Sequence, residues 1–302
     1  MTSSAEAVGH SEPMRVRPAR RPDRAPRWDV GAGAWDTHAH VFGPPERFSL
    51  RPDRRYTPPT QDTDLYLTLL DSLGVEFGVL VQPSVYARDN ACLLDALGEV
   101  PERFVGVVDV DVLHTADRTL QDMTERGVRG LRVFWTARSS LPALREQSVR
   151  LRELGWHLDL NLESVELLGD LAGPLADLGV PVMVEAMGSP HSDDPGASPG
   201  FATLLRLMRD TDTWVKLSHA YHIDAGGPPY ERSARFARAL VEAAPDRAVW
   251  GSDWPHPMGH GVMPSDAGLV DLLLDWVGDR QLATNVMCAN PSRFYGRPAR
   301  KG

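Results

Sequence analysis

The chain has 302 residues with 32 Lys+Arg against 41 Asp+Glu, and its formal net charge of -9 argues against a general nucleic-acid binder while leaving room for a local basic pocket. With 42% hydrophobic and 24% charged residues, it has the composition of a globular protein able to bury a large core. There is no run of about eighteen apolar residues for a membrane helix and no apolar segment after the first basic residues as in a signal peptide. The two cysteines, Cys92 and Cys288, form no metal, redox or disulfide motif, so a cytoplasmic protein with buried or half-buried thiols is expected.

Residues 1–27 are rich in Ser, Pro and Arg, with Arg15, Arg17, Arg20, Arg21, Arg24 and Arg27 and few large apolar groups. Such a stretch buries too little surface to offset its ordering entropy. A disordered or arm-like extension is expected, solvated or packed against a neighbouring copy, which leaves a homo-oligomer open. Residues 28–302 are expected to form the folded domain.

From Trp35 onward, short apolar runs alternate with longer amphipathic ones. The short runs cover 34–42, 77–82, 104–109, 128–134, 157–162, 180–184, 214–218 and 248–252. They are near-continuously apolar and rich in Val, Leu and aromatic groups, the pattern of parallel strands buried on both faces. Between them, Asp62-Thr63-Asp64-Leu65 opens a helix with a capping residue and Gly74 closes it. Further helices are expected over 90–97, 116–126, 142–154, 164–178, 198–209, 231–243 and 266–277. Eight strand–helix units predict a single (β/α)₈ TIM barrel. A doubly wound open sheet is the alternative, but no Gly-rich dinucleotide fingerprint follows the first strand.

In a (β/α)₈ barrel the chemistry sits at the C-terminal ends of the strands, and polar residues gather there in this sequence. His38 and His40 are two apart on strand one, so both imidazoles face one space. Ser84 follows strand two, Arg132 and Arg138 follow strand four, and Asn161 with Glu163 ends strand five. Strand six ends in Glu185, strand seven in His219 and His222, and strand eight in Asp253 and His256. Paired guanidinium groups suit a doubly anionic ligand, and a carboxylate such as Asp253 can activate water. Glu185, at that depth, needs a partner. His191, His256 and His260 lie in Pro- and Gly-rich loops and are expected to be solvated or structural.

Asp36-Thr37-His38-Ala39-His40, Val81-Gln82-Pro83-Ser84, Gly130-Leu131-Arg132-Val133-Phe134, Gly251-Ser252-Asp253-Trp254-Pro255 and Asn290-Pro291-Ser292-Arg293-Phe294-Tyr295-Gly296 resemble the amidohydrolase superfamily. More narrowly, they are similar to its pyrone-dicarboxylate and muconolactone-type lactonases, over about residues 34–297. The resemblance implies a hydrolase that opens a carboxylated lactone, or closes it in reverse, with Asp253 as the base that activates water. It implies that His38 and His40 polarise the carbonyl, directly or through a divalent metal such as zinc held with Asp253. In the pyrone lactonases no metal is required. Tyr56, Ser84, Arg132 and Arg138 match positions that hold the substrate and its carboxylates.

The departures are specific. Relatives carry an Asp-His-Met-Gly type run after strand six, whereas this chain has Val184-Glu185-Ala186-Met187-Gly188, and alanine neither ligates nor donates. Alanine there is either a native departure or an engineered substitution. Asn161 stands where an aromatic group is usual, His222 where an arginine is, and no lysine ends strand four. Three alternatives remain open on the same frame: a metal-assisted decarboxylase of an aromatic or unsaturated acid, a specialised biosynthetic enzyme, and a non-catalytic binder.

Overall fold

Each of the eight apolar runs forms a parallel strand of one sheet. The structure is a computed structural model and describes residues 12–258 and 263–298; His260 lies outside them. Two strands outside the barrel, β1 (Met14–Arg15) and β3 (Tyr56–Thr57), pair with each other. The barrel strands are β2 (Trp35–Ala39), β4 (Phe77–Val81), β5 (Phe104–Val108), β6 (Val128–Trp135), β7 (His157–Leu162), β8 (Val182–Val184), β9 (Thr213–Leu217) and β10 (Ala248–Trp250). They neighbour one another in chain order. The barrel closes where the extension of β10 meets β2: Asp253 N–H donates to His38 O and His40 N–H to Trp254 O, both at 2.8 Å.

Helices follow the strands in turn: α1 (Thr63–Leu73) precedes β4, and α2 (Ala91–Glu99), α3 (Asp117–Glu125), α4 (Leu141–Leu154), α5 (Leu168–Ala176) and α6 (Pro199–Asp210) fill successive crossovers. Helices α7 (Ala220–Ile223) and α8 (Glu231–Ala243) lie between β9 and β10, with α9 (Asp266–Val277), α10 (Arg280–Thr284) and α11 (Asn290–Tyr295) after them. The expected signals set α1: the Asp62 carboxylate accepts from Leu65 N–H, and Gly74 closes it at φ 70°. The run expected as one helix over 164–178 opens instead with a tight turn at Val165–Leu167 before α5.

The lower barrel is apolar. Trp35, Phe77, Val79, Val105, Met183, Trp214 and Val249 pack inside it against Tyr295 of α11. Both Trp35 and His38 face inward although they are three residues apart, because the register with β4 slips between Asp36 and Ala39. That irregularity turns β2 from supplying core at its start to supplying imidazoles at its end.

The arm, expected in solvent or on another copy, lies on its own barrel from Met14 onward. Met14 N–H donates to Arg55 O (3.1 Å), Val16 N–H to Thr57 O (3.0 Å) and Ala19 N–H to the Gln61 side-chain oxygen (3.0 Å). Arg24 and Arg27 pair with the buried Asp271 of α9 at 2.7 and 3.1 Å, and Trp28 Nε1–H donates to Val270 O at 3.1 Å. A buried carboxylate needs a cation, and here the basic residues of the arm supply it. Cys92 is buried and Cys288 half-buried, as expected. Among the described residues, no helix is long and apolar enough to cross a membrane.

Candidate active site

Backbone strain concentrates at the C-terminal ends of β8, β9 and β10. Ala186 (φ 50°), Met187 (53°), Ser189 (53°), His219 (59°), Asp253 (62°) and His256 (61°) all adopt left-handed conformations without being glycine. Each such residue costs about 1–3 kcal/mol, and such strain persists where the surroundings impose it. Gly251 shows how tight the β2–β10 seam is, since a Cβ there would lie 2.7 Å from His38 Cβ.

Asp253 sits at the centre. Its Oδ2 accepts a short hydrogen bond from Tyr221 of α7. Its Oδ1 is buried with no hydrogen-bond partner among the described residues. Around Oδ1 stand His219 Nε2 at 3.2 Å, His40 Nε2 at 3.4 Å and His38 Nε2 at 3.7 Å. Burial alone would raise the carboxyl's pKa, but the charge of His219 beside it is the largest opposing influence, and the group is held well below the usual carboxylate range. The loop that presents Asp253 is fixed from below by Asp36, which accepts from Ser252 Oγ (2.5 Å), Ser252 N–H (2.8 Å) and Tyr66 OH (3.0 Å).

The two strand-one imidazoles share the face that their spacing predicts, but they are not equivalent. His40 Nδ1 lies 2.7 Å from Val81 O. A carbonyl only accepts, so Nδ1 carries the hydrogen and Nε2 presents a lone pair toward Asp253. His38 Nδ1 lies 3.3 Å from Lys216 Nζ and 3.8 Å from Glu185 Oε1. Only the lysine is within hydrogen-bond reach, and an ammonium only donates, so Nδ1 accepts and Nε2 carries the hydrogen. Burial is the chief reason that the His38 pKa falls well below the ordinary imidazole value; Glu185 opposes that shift, and Lys216, His219 and His40 add to it.

Two buried ion pairs form the layer beneath. Lys216 of β9 pairs with Asp159 of β7 at 2.5 Å. Arg132 of β6 grips Glu185 with two parallel bonds of 2.9 and 2.7 Å and donates a third to Gln82 O at 2.8 Å. Asn161 also donates to Glu185, at 2.5 Å. Burial pushes the Glu185 carboxyl up, but Arg132, then His38 and Lys216, outweigh that and hold it well below the usual range.

Above this layer opens a cavity of about 450 Å³, large enough for a small ligand. Its walls include His40, Tyr56, Ser84, Arg132, Asn161, Ala186, His219, His222 and Asp253. His38 and Glu185 are fully buried next to it. The structure therefore gathers every expected site residue except Arg138, which is exposed and makes no part of the wall. Arg132 is in place, but most of its fork already belongs to Glu185. Glu163 and the exposed His191 also line the cavity, whereas His256 is buried against Asp266 at 3.0 Å, in keeping with a structural role.

Sequence reasoning passed over Lys216, Asp159, Tyr221 and Arg55. For Lys216 a signal was present: it is one of two lysines in the sequence, and it lies in the middle of an apolar strand.

The profile of the family described as Amidohydrolase matches residues 35–297. The chain belongs to the amidohydrolase family. It is 35% identical over 281 residues to the 4-sulfomuconolactone hydrolase of Hydrogenophaga intermedia, covering 91% of this chain and 92% of that one. It is 34% identical over 283 residues to the 2-pyrone-4,6-dicarboxylate hydrolase of Comamonas testosteroni, covering 89% and 92%. A crystal structure from Agrobacterium tumefaciens shares the fold at a TM-score of 0.80 and 24% identity, covering 93% of this chain and 100% of that one.

Amidohydrolases often hold a divalent metal, and here His38, His40 and Asp253 offer donor atoms within 4.8 Å of one another. Their chemistry does not fit a three-donor site. His40 Nε2 and Asp253 Oδ1 present lone pairs, but His38 Nε2 presents a hydrogen while Lys216 donates to its other nitrogen. The position after strand six at which the family resemblance implies a histidine donor holds Ala186, which offers nothing. Two lone-pair donors fall short of the three protein ligands of a typical catalytic zinc site.

Proposed function

We propose that this amidohydrolase opens a small anionic lactone by water attack, without requiring a metal, and that it works in the cytoplasm on a free small molecule rather than on nucleic acid or membrane. The observation that carries the reading is Asp253 Oδ1: an ionised, buried oxygen without a hydrogen bond among the described residues, on a residue that lines a cavity of small-molecule size. The lactone hydrolases named above, alike over about nine-tenths of the chain, support the same chemistry.

His40 Nε2 and Asp253 Oδ1 are two acceptors 3.4 Å apart, an arrangement suited to a water that donates to both. In the proposed reaction, Asp253 Oδ1 takes a proton from that water as its oxygen attacks the lactone carbonyl carbon. The carbonyl's electron pair moves onto its oxygen, which accepts a hydrogen bond from His38 Nε2–H. The intermediate collapses with cleavage of the bond between the carbonyl carbon and the ring oxygen. The proton on Asp253 passes to the departing ring oxygen, leaving a carboxylic acid and an enol or alcohol. Tyr221 occupies Oδ2 and leaves Oδ1 as the oxygen without a hydrogen bond among the described residues.

The test is turnover of 2-pyrone-4,6-dicarboxylate and a sulfonated or carboxylated muconolactone by the wild type and by Asp253→Asn. The wild type is expected to hydrolyse at least one, and the variant to lose about 10²–10⁴-fold in kcat while remaining folded. A variant at wild-type rate, or a wild type inert toward all such lactones, overturns the reading.

A further inference from the structure

We propose that Arg55 receives the second acidic group of the substrate and that the N-terminal arm holds it in position to do so. The inference rests on the reading of the cavity as a site for an anionic ligand, and deepens it.

Two arginines line the cavity. Arg132 is fully engaged on one edge: Glu185 takes two of its donors and Gln82 O a third. Its charge is neutralised by a carboxylate at 2.7 Å, so a substrate anion meets an ion pair there rather than a free cation. Arg138 is exposed and outside the wall. Arg55 lines the cavity, and its guanidinium has no hydrogen-bond or ion-pair partner among the described residues. Asp253 and Glu163 in the same walls carry negative charge. A ligand with two acidic groups therefore needs an uncommitted cation, and a guanidinium suits a planar carboxylate or a sulfonate.

The segment that carries Arg55 is not a free loop. Arg55 O accepts from Met14 N–H at 3.1 Å, and Thr57 O from Val16 N–H at 3.0 Å, so the arm adds a strand along Tyr56–Thr57. Beyond it the arm is pinned to the barrel through Gln61 and through Asp271. Next to Arg55, Tyr56 is buried and lines the same cavity. An arm anchored at Met14–Val16 and again at Arg24 and Arg27 thus sets the backbone from which the exposed Arg55 side chain meets incoming substrate.

The experiment separates binding from turnover by using two inert aromatic acids. Benzene-1,3-dicarboxylate places two carboxylates on a flat six-membered ring with no ester to hydrolyse, and benzoate carries one. Calorimetric titration of the full chain is expected to give tighter binding of the diacid. Arg55→Met is expected to weaken the diacid at least about tenfold and benzoate less than about threefold. On 2-pyrone-4,6-dicarboxylate the same variant is expected to raise KM by about tenfold or more with kcat within about threefold. Met14→Pro, which removes the N–H that Arg55 O accepts while keeping the chain whole, is expected to weaken the diacid in the same direction. Added to Arg55→Met, it is expected to give no further loss.

Equal losses for diacid and monoacid, or a wild type that binds them alike, overturn the role of Arg55. An unchanged diacid affinity in Met14→Pro overturns the role of the arm. If the diacid preference and its loss are seen but no lactone is hydrolysed, the hydrolase reading falls and the assignment of Arg55 stands.

Discussion

Lys216 Nζ stands 3.3 Å from His38 Nδ1 and 2.5 Å from Asp159 Oδ2, so one buried ammonium both neutralises a carboxylate and assigns the hydrogen on an imidazole. Removing the ammonium does two separable things. Lys216→Met leaves the buried Asp159 with His157, 3.8 Å away, as its remaining basic neighbour, a loss of about 3–5 kcal/mol in urea unfolding. It also frees His38 to carry its hydrogen on Nδ1, and kcat is expected to fall by about 10²–10³ through the lost donor. Lys216→Met with Asp159→Leu replaces both charges by apolar groups and is expected to recover most of the stability but none of the rate. A double variant with wild-type kcat would show that the pair serves folding alone.

The same contact governs metal affinity. With Lys216 in place, chelation and dialysis are expected to leave wild-type kcat unchanged. In Lys216→Met, His38 Nε2 gains a lone pair beside His40 Nε2 and Asp253 Oδ1, and zinc is expected to bind about tenfold tighter or more than in the wild type. Equal zinc affinities in the two proteins would contradict the assigned tautomer.

Arg132→Met distinguishes the two descriptions of that arginine. Read from sequence, Arg132 grips the substrate, and its loss mainly raises KM. In the fold it grips Glu185, which is fully buried with Asn161 as its other donor. Losing the guanidinium is expected to cost about 3–5 kcal/mol of stability. Arg132→Met with Glu185→Gln is expected to be more stable than Arg132→Met alone. A single variant as stable as wild type with only KM raised would restore the simpler role.

These contrasts show what a linear sequence displays. The eight strands were legible because strands buried on both faces read as apolar runs, and the strand-end site because polar groups there are not needed for packing. His38 and His40 share a face by two-residue spacing alone. Partnership is a different matter. Arg132 and Glu185 are 53 residues apart, Lys216 and Asp159 57 apart, and only the closed barrel brings each pair together. Arg55 was hidden for a related reason: it follows no barrel strand, and the arm that places it reads as a solvated tail.

Ala186 lines the cavity in a left-handed conformation, at the position where the family resemblance implies a histidine. His219, from the next strand, already stands 3.2 Å from Asp253 Oδ1. Introducing histidine is therefore expected to crowd the cavity rather than complete the site. Ala186→His should not raise kcat/KM on any lactone that the wild type opens, and His219→Ala should lower kcat by about 10²-fold. A large gain in Ala186→His would mean instead that the alanine is the defect in an otherwise ordinary site.

His256 is expected to give the fold a pH dependence in the neutral range. Burial alone lowers its pKa, but Asp266, 3.0 Å from Nε2, together with Asp253 and Asp36, outweighs that and raises it above the ordinary imidazole value. The folded state then holds the proton more tightly than the unfolded chain. The stabilisation is complete below the unfolded value of about 6.5 and is lost as pH rises through the higher folded value. Asp36, whose carboxyl burial pushes up to about 6, has largely finished its own titration by neutral pH. Urea unfolding at about pH 7 and about pH 8.5 should therefore show a fall in wild-type stability that is smaller in His256→Gln. Equal falls in the two proteins would assign the dependence to other groups and leave the His256–Asp266 contact energetically silent.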